Sequence, residues 1–175
     1  MFQPVPSIQN NNSILNIEDG IKIITAETDA DYEAAKQLFI AYQQFLGEDL
    51  CFQSFDAELM KLPIMYAATN GALLLAIKNG EYIGCVAFRK TGDDVCEIKR
   101  LYVTEAYKQQ GIGRLLVDKI IATAKEAGYK KMILDTLNKL QPALNLYYSF
   151  GFKETTAYYP NPLQGVIYME LNLAG

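Results

Sequence analysis

Two short runs in the middle of the chain dominate its pattern: residues 97–103 read EIKRLYV, and residues 108–116 read KQQGIGRLL. The first is rich in β-branched and aromatic residues, as strands are. The second places Gly111 and Gly113 directly before apolar residues that recur at helical spacing to about Ala127. A helix that begins at glycines presents free backbone N–H groups and the positive end of its dipole to an anion. The pattern therefore predicts a strand, a tight turn and a helix whose start suits a phosphate or pyrophosphate.

The glycine pair alone also fits other interpretations, including a tight turn that binds nothing. Lys108 and Arg114 bracket the pair and supply local positive charge. A Walker loop would end in Gly-Lys-Ser or Gly-Lys-Thr, which is absent. A dinucleotide-binding loop would have a third glycine where this chain has Leu116, although Asp135 lies about 20 residues onward, as that motif asks. A nucleotide-dependent oxidoreductase therefore remains an alternative.

The rest of the chain reads as an antiparallel first half joined to a β-α-β second half, which predicts one mixed, mainly antiparallel sheet with helices on its faces, an α+β (mixed α/β) fold. Residues 1–20 are polar and aperiodic, so we expect a loose N-terminal extension there and a single domain over residues 21–175. The predicted elements are a strand over residues 21–26, a helix capped at Asp29 to Asp31 that ends near Leu46 with Gly47 as its stop, a short helix between Ser54 and Pro63, strands over residues 72–78, 82–89 and 95–104 with a hairpin turn at Asn79-Gly80, a strand over residues 132–136, a helix over residues 140–150 and a strand over residues 166–171.

The chain has 175 residues, 50% of them hydrophobic and 21% charged, and it contains no histidine. This absence excludes an imidazole base, a Ser-His-Asp or Cys-His nucleophile and the common zinc sites with histidine ligands. The chemistry must therefore use carboxylate, tyrosine, lysine, cysteine or backbone groups. Cys51, Cys85 and Cys96 lack C-x-x-C spacing, so we expect small core residues rather than a disulfide framework or a metal site.

The charge balance restricts the partners. A net charge of -4 argues against a nucleic-acid partner, because binding several phosphates requires a clustered excess of lysine and arginine. No segment approaches the about 20 apolar residues that cross a bilayer, and no basic segment precedes an apolar stretch at the start. We therefore expect a cytoplasmic protein without membrane contact. The oligomeric state is left open, a homodimer included.

The residues that carry the anion-site prediction also resemble the acyl-coenzyme A signature of the GNAT superfamily of N-acyltransferases. That loop reads Arg or Gln, two residues, Gly, one residue, Gly or Ala, and Lys108 stands where the family usually has Arg or Gln. A second block, with Leu134-Asp135-Thr136, Asn138 and residues 143–152, resembles the family's A-x-x-L-Y-x-x-x-G-F ending. The resemblance covers about residues 21–173 and implies a GNAT-like sheet that splays between its fourth and fifth strands to form a cofactor cleft.

The resemblance implies acetyl-CoA as the cofactor, with coenzyme A as its product. The strand that ends at Val103 would offer backbone groups to the pantetheine arm, the glycine loop would wrap the pyrophosphate, and Asn138 would contact the arm from the other side. The implied cofactor-binding residues are Leu101, Tyr102, Val103, Lys108, Gln109, Gln110, Gly111, Ile112, Gly113, Arg114, Asn138 and Tyr147.

Acyl transfer from a thioester to an amine needs a deprotonated amine, a stabilised oxyanion and a proton for the leaving thiolate. Tyr147, where the family has its usual tyrosine, is the candidate acid, since a phenol with a pKa of about 10 is close to a thiol in acidity. Glu97 is the candidate base. The alternatives are that Tyr147 is only a core residue and that Glu97 is paired with Lys99 or Arg100.

The implied activity is direct transfer of an acetyl group, in a ternary complex, to a primary amine of a small molecule, an amino acid or a peptide. A non-catalytic acyl-CoA sensor is the alternative from a different class. The resemblance places the acceptor between residues 47–55 and residues 157–164, and the latter segment is either a lid over a small amine or an exposed connection. Glu48 and Asp49 would attract a cationic acceptor. The sequence leaves open an acceptor carboxylate held by one of three cations, which are Arg89, Lys99 and Arg100.

Overall fold

The computed structural model describes residues 20–175, so the extension expected at residues 1–20 lies outside the described residues except for Gly20. In chain order the elements are β1 (Ile21–Thr25), α1 (Asp29–Leu46), α2 (Phe55–Met60), α3 (Leu62–Met65), β2 (Gly71–Lys78), β3 (Glu81–Lys90), β4 (Val95–Val103), α4 (Ile112–Glu126), β5 (Lys131–Leu137), α5 (Gln141–Ser149), β6 (Lys153–Glu154) and β7 (Val166–Asn172), with 3-10 turns at Cys51–Gln53 and Glu105–Tyr107.

The strands form one sheet in the order β1-β2-β3-β4-β5-β7-β6. Neighbouring strands are antiparallel except β4 and β5, which run parallel. The predicted mixed, mainly antiparallel α+β fold is confirmed. The hairpin turn is confirmed too, because Asn79 and Gly80 both have the positive φ that a type I′ turn requires, 52° and 80°. The strand β6 has only two residues, too few to show any periodicity.

Helices cover both faces of the sheet and enclose two apolar cores. On one face, α1, α2 and α3 pack against side chains of β2 and β3 such as Leu75 and Cys85. On the other face, α4 and α5 pack through residues such as Leu116 and Leu144. Two of the three cysteines are buried as expected, but Cys51 is exposed and that part of the expectation is wrong. Within residues 20–175, no helix combines the length and apolarity that crossing a bilayer needs.

The N-cap of the first helix lies one residue earlier than the sequence predicts. Thr28, not Asp29, is the N-cap of α1, and its hydroxyl accepts a hydrogen bond from the Asp31 amide at 3.2 Å. The Asp31 carboxylate in turn accepts from the Thr28 amide at 3.0 Å, which completes a capping box. Gly47 ends the helix in a left-handed conformation, as expected. Pro63 lies in the first turn of α3, so the chain turns there into a further short helix.

The sheet opens between β4 and β5. Their parallel pairing is limited to Val95 with Lys131, Cys96 with Met132 and Glu97 with Ile133. Beyond these pairs, β4 continues to Val103 and β5 to Leu137 without pairing to each other. The facing edges of the two strands therefore lack strand partners, and a cleft opens between them. This is the splayed cleft that the family resemblance implied.

A β-bulge in β4 accompanies the opening. The register against β3 shifts between Cys85, which faces Tyr102, and Ala87, which faces Lys99. Arg100 lies at the shift with a φ of 60°, in the left-handed region that residues other than glycine rarely adopt. As a result, the Lys99 and Arg100 side chains point the same way: both hydrogen-bond to Gln53 Oε1, at 3.3 and 2.9 Å. Bulges re-aim side chains next to binding sites in this manner.

Candidate active site

The cleft between β4 and β5 contains two adjacent cavities. The larger has a volume of about 580 Å³ and lies between β4, the glycine loop and α5. The smaller has a volume of about 60 Å³ and lies deeper, between the bulge of β4 and the end of β5. They share four lining residues, Tyr42, Leu101, Leu140 and Ala143. The two cavities therefore form one continuous site with a wide end and a narrow end.

The start of α4 forms one wall of the larger cavity. The hydrogen-bond pattern of α4 begins at the Leu115 amide, which donates to Gly111 O at 3.2 Å, and no side chain caps the helix. The amides before Leu115 thus precede the helical pattern and are available to a ligand. Gly111 has a φ of 79°, and a Cβ there would meet nothing within 4 Å. The open space and the free amides fit the pyrophosphate of a coenzyme A.

Two cations flank this wall without filling it. Lys108 pairs with Glu105, and its Nζ lies 3.7 Å from the centroid of the Phe45 ring, which also lines the cavity. Arg114 donates to Ser149 Oγ at 2.7 Å. Both side chains belong to the cavity lining, so they add positive charge beside the helix start.

Most of the residues predicted to bind the cofactor line the larger cavity, but three do not: Tyr147, which lines the smaller cavity, and Gln110 and Asn138, which line neither. Gln110 is exposed and donates from Nε2 to Ala106 O at 3.2 Å. Asn138 packs against Gly165, where a Cβ would come within 2.3 Å of its Oδ1, and so holds the chain before β7. The placement of these two does not support direct contact with the cofactor. The predicted residues that do line the larger cavity are Leu101, Tyr102, Val103, Lys108, Gln109, Gly111, Ile112, Gly113 and Arg114.

Tyr147 lines the smaller cavity, together with Leu101, which lines both cavities. Its side chain is buried, with its ring 5.5 Å from that of Phe152 in an edge-on contact. Burial raises the pKa of the phenol above its ordinary value of 10.0, with smaller contributions from Tyr42 and Asp135. The phenol therefore stays protonated at neutral pH and can donate into the cavity.

Glu97 lines neither cavity, and its carboxylate is already held by other side chains, which does not support the predicted role as base. Its Oε2 accepts a hydrogen bond from Arg89 Nε at 2.9 Å, and its Oε1 accepts from the Tyr158 hydroxyl at 3.0 Å. Lys99 Nζ lies 3.9 Å from the same Oε1. The carboxylate is buried in these contacts. The alternative of an ion pair is thus nearer the observed arrangement, with Arg89 as the main partner.

Asp135 on β5 lines the smaller cavity and was not predicted as a site residue. Its Oδ2 accepts hydrogen bonds from the Tyr159 hydroxyl at 2.8 Å and from Asn161 Nδ2 at 2.9 Å. Asn161 and Leu163 complete the cavity wall, so the segment before β7 covers the narrow end of the site. The sequence signal that could have identified Asp135 is the position of a carboxylate in the middle of the apolar run of β5, since charged side chains are rarely buried there without a partner.

A buried ion pair connects the bulge of β4 to α2. Arg100 donates from Nη2 to Glu58 Oε2 at 2.6 Å and from Nε to Glu58 Oε1 at 3.2 Å, and the Tyr66 hydroxyl donates to Glu58 Oε1 at 2.6 Å. Burial alone would raise the pKa of the Glu58 carboxyl. The Arg100 charge and the hydrogen bonds from Arg100 and Tyr66 outweigh burial, so the pKa lies below its ordinary value of 4.5. The pair fixes α2 against β4 where β4 bends.

The fold and the cleft define the class of the protein as an acyltransferase. The family model described as Acetyltransferase (GNAT) family matches residues 32–152, and the chain belongs to this family. The chain is 41% identical over 156 residues to an N-acetyltransferase of Schizosaccharomyces pombe described as uncharacterized. The aligned region covers 88% of this chain and 96% of the relative.

Solved structures agree on the fold. A GNAT-family acetyltransferase from Staphylococcus aureus superposes with a TM-score of 0.73 at 24% identity, over 87% of this chain and 99% of that one. A GNAT-family acetyltransferase from Elizabethkingia anophelis, solved with acetyl-CoA bound, superposes with a TM-score of 0.57 at 27% identity, over 89% of this chain and 99% of that one.

Among residues 20–175 of the present chain, no group of three or more potential ligands could hold a metal ion.

Proposed function

We propose that the protein is an acetyl-CoA-dependent N-acetyltransferase that transfers the acetyl group directly to a primary amine of a small molecule, an amino acid or a peptide. The observation that carries the proposal is the juxtaposition of the two cavities. One contains the uncapped start of α4, and the adjacent one contains the hydroxyl-bearing side chain of Tyr147. A site for pyrophosphate and a proton donor for sulfur thus belong to one cleft.

In this proposal, the amides from Gly111 to Arg114 hold the pyrophosphate, with Lys108 beside them. The unpaired edge of β4 near Leu101 and Tyr102 offers backbone groups to the pantetheine arm and an N–H to the oxyanion. Bound acetyl-CoA supplies an activated thioester. The chain itself supplies positioning, exclusion of water and a proton at Tyr147 Oη.

The size of the smaller cavity supports acetyl as the transferred group. A cavity needs about 10–15 Å³ of probe-occupied volume to hold one water molecule. A volume of about 60 Å³ therefore has room for about four to six groups of that size, and the space continues into the larger cavity. A small amine beside a two-carbon acyl group is compatible with this space, whereas a long acyl chain would require the walls to move.

A non-catalytic acyl-CoA sensor is the second candidate. Loss of the tyrosine or a filled acceptor cavity would favour it, and neither is found in residues 20–175. The nucleotide-dependent oxidoreductase loses its remaining support, since Leu116, where the third glycine of that motif would stand, lies within α4 and its side chain is fully buried in the core.

Thermal unfolding with acetyl-CoA, coenzyme A or NAD, followed by thiol release with a panel of amines, tests the proposal. A ligand at 100 times its dissociation constant stabilises a protein by about 2.7 kcal/mol. We expect both coenzyme A forms to raise the melting temperature and thiol release to depend on the amine. A shift with NAD alone would overturn the proposal. A shift with coenzyme A but no thiol release with any amine would favour the sensor.

A further inference from the structure

Three cations near the narrow end of the cleft could hold an acceptor carboxylate, and two of them already have strong partners. Arg89 is paired with Glu97 at 2.9 Å. Arg100 has two hydrogen bonds to Glu58 and a third, at 2.9 Å, to Gln53. An arginine that is held in this way has little capacity left for a substrate. Lys99 is the remaining candidate.

Lys99 lines the smaller cavity, and its side chain is only 6% exposed. An ammonium group has three donors. Within the described range, Lys99 Nζ has one hydrogen bond, to Gln53 Oε1 at 3.3 Å, and a longer ion-pair contact of 3.9 Å with Glu97, which Arg89 and Tyr158 already hold more closely. A buried charge with so few partners is costly unless an anion completes its shell. The cavity next to it is where that anion can lie.

The opposite wall of the same cavity carries the complementary charge. Asp135 lines it from β5, and both hydrogen bonds that it accepts, from Tyr159 and Asn161, fall on Oδ2. Its Oδ1 accepts none from residues 20–175, so it can receive an ammonium group. The narrow end of the cleft thus has a cation on β4 and a carboxylate on β5, and both line the same cavity.

We propose that the acceptor is a small amine that carries a free carboxylate next to its amino group, an α-amino acid or a derivative of one, with the carboxylate at Lys99 and the ammonium group at Asp135. This rests on the proposed function. The ammonium group loses one proton to Asp135, and its nitrogen then forms a bond to the acetyl carbon. The carbon–sulfur bond breaks, the thiolate takes a proton from Tyr147, and the second proton, which the nitrogen loses as it becomes an amide, restores the Tyr147 hydroxyl. The products are the N-acetylamino acid and free coenzyme A, and Asp135 releases its proton to water.

Burial, reinforced by the nearby Arg100 charge, lowers the pKa of the Lys99 ammonium from its ordinary value of 10.5, and the carboxylates of Glu97 and Asp135 oppose this in part. An acceptor carboxylate at the cavity would act in the same direction as those two carboxylates and favour the charged form of Lys99. The ligand would therefore stabilise the charge that the folded chain leaves poorly paired.

The test compares matched acceptors on the wild-type protein: each of a set of free amino acids, its amide and the amine that lacks the carboxylate. We expect kcat/KM to fall by about 10- to 100-fold when the carboxylate is lost, the size of a charge-assisted contact. Lys99→Met should reduce kcat/KM for the free acid to the value for the amide. Lys125 is an exposed lysine on α4, so Lys125→Met should keep the preference for the free acid.

The outcomes separate this inference from the proposed function. If acetyl-CoA gives no thermal shift with the wild-type protein, the proposed function itself fails. If acetyl-CoA binds but the amides and simple amines react as well as the free acids, or no free amino acid reacts, only the assignment of the acceptor fails. If Lys99→Met does not fold, the wild-type acceptor series still decides, because it needs no substitution.

Discussion

The two ends of the cleft are built from different parts of the polypeptide. At the wide end, the groups that we assign to the cofactor are mainly backbone: free amides at the start of α4, a glycine with positive φ and the unpaired edge of β4. The narrow end consists of charged and phenolic side chains, among them Lys99, Asp135 and Tyr147. The contrast teaches that a cofactor shared by a large family can be held by main-chain geometry. In the proposed function, selection of the acceptor and the proton transfer depend instead on side chains, which can differ from chain to chain.

The largest effect is expected at the narrow end, from Tyr147→Phe. If Tyr147 donates the proton to sulfur, removal of its hydroxyl should lower kcat by about 10²- to 10⁴-fold. Affinity for acetyl-CoA, measured by thermal shift, should change little, because the other predicted binding residues lie at the wide end. Tyr148→Phe is the matched control, since Tyr148 is exposed on the same helix and bonds to Glu154. Equal turnover in both variants would remove Tyr147 as the acid.

Next in size is the buried pair that supports the bulge. Arg100→Met leaves Glu58 as an unpaired buried charge, which costs about 3–5 kcal/mol of unfolding free energy. The double variant Arg100→Met, Glu58→Gln should recover much of that loss, since neither buried charge then remains. Urea unfolding of the wild-type protein and the variants measures both values. A loss in the double variant equal to that in the single one would show that the ion pair itself is not the cause.

A smaller effect is expected at the wide end, from Gly111→Val. The side chain would occupy the open space beside the amides and should weaken coenzyme A binding by about 10- to 100-fold. Gly128→Val controls for backbone strain, because Gly128 also has a positive φ, 87°, and open space at its Cβ, but lines neither cavity. Both variants should lose similar stability. Unchanged coenzyme A affinity in Gly111→Val would disprove the pyrophosphate site.

Glu97→Gln should change the reaction less than the substitutions in the cleft. The carboxylate is held by Arg89 and Tyr158 outside both cavities, so kcat should fall by far less than the about 100-fold minimum expected for loss of a general base. Asp135→Asn, at the narrow end, should cause the larger loss. Measurement of kcat for the two variants with the same amine checks this, and a loss of about 100-fold or more in Glu97→Gln with little loss in Asp135→Asn would reinstate Glu97 as the base.

The smallest effect concerns pH and the Glu58–Arg100 pair. Because the pKa of Glu58 in the folded chain lies below its ordinary value of 4.5, the unfolded chain binds more protons there, and the pair contributes stability above about that pH. This contribution should be lost as the pH falls below the ordinary value and through the folded one. Urea unfolding at pH 7 and pH 4 should therefore show a smaller gap between the wild-type protein and Glu58→Gln at the lower pH. A gap that is constant with pH would contradict the pairing.

The elements of the fold are largely predictable because their signals are local. The Asn79-Gly80 turn, the left-handed Gly47 and the glycine start of α4 each require only a few neighbouring residues. The wide end of the cleft could be located for the same reason, since free amides follow from the position of a helix start. Asn138 is the exception: it looks local, yet Gly165, from a distant loop, determines its packing.

The narrow end is much less predictable, since its partners are far apart in the chain. Tyr159 meets Asp135 across 24 residues, and Arg100 meets Glu58 across 42. The residue at the bulge is Arg100 and not a glycine, so the sequence does not mark the bulge. The change of side-chain direction that the bulge causes cannot be predicted from an alternating pattern. For this reason the sequence could not separate Lys99 from Arg89 and Arg100 as the cation for an acceptor carboxylate.

The bulge also has a consequence for how such a cleft arises. Cys96 and Ile98 pack toward α4, as do Leu101 and Val103, so Arg100 is the one extra residue that keeps both halves of β4 on the same core. Deletion of this single codon would leave a strand with regular alternation and every apolar side chain on its present face. We expect such a strand to straighten and to continue its parallel hydrogen bonding with β5 beyond Glu97. In evolutionary terms, the difference between a closed structural sheet and one that admits a substrate is then an insertion of one residue.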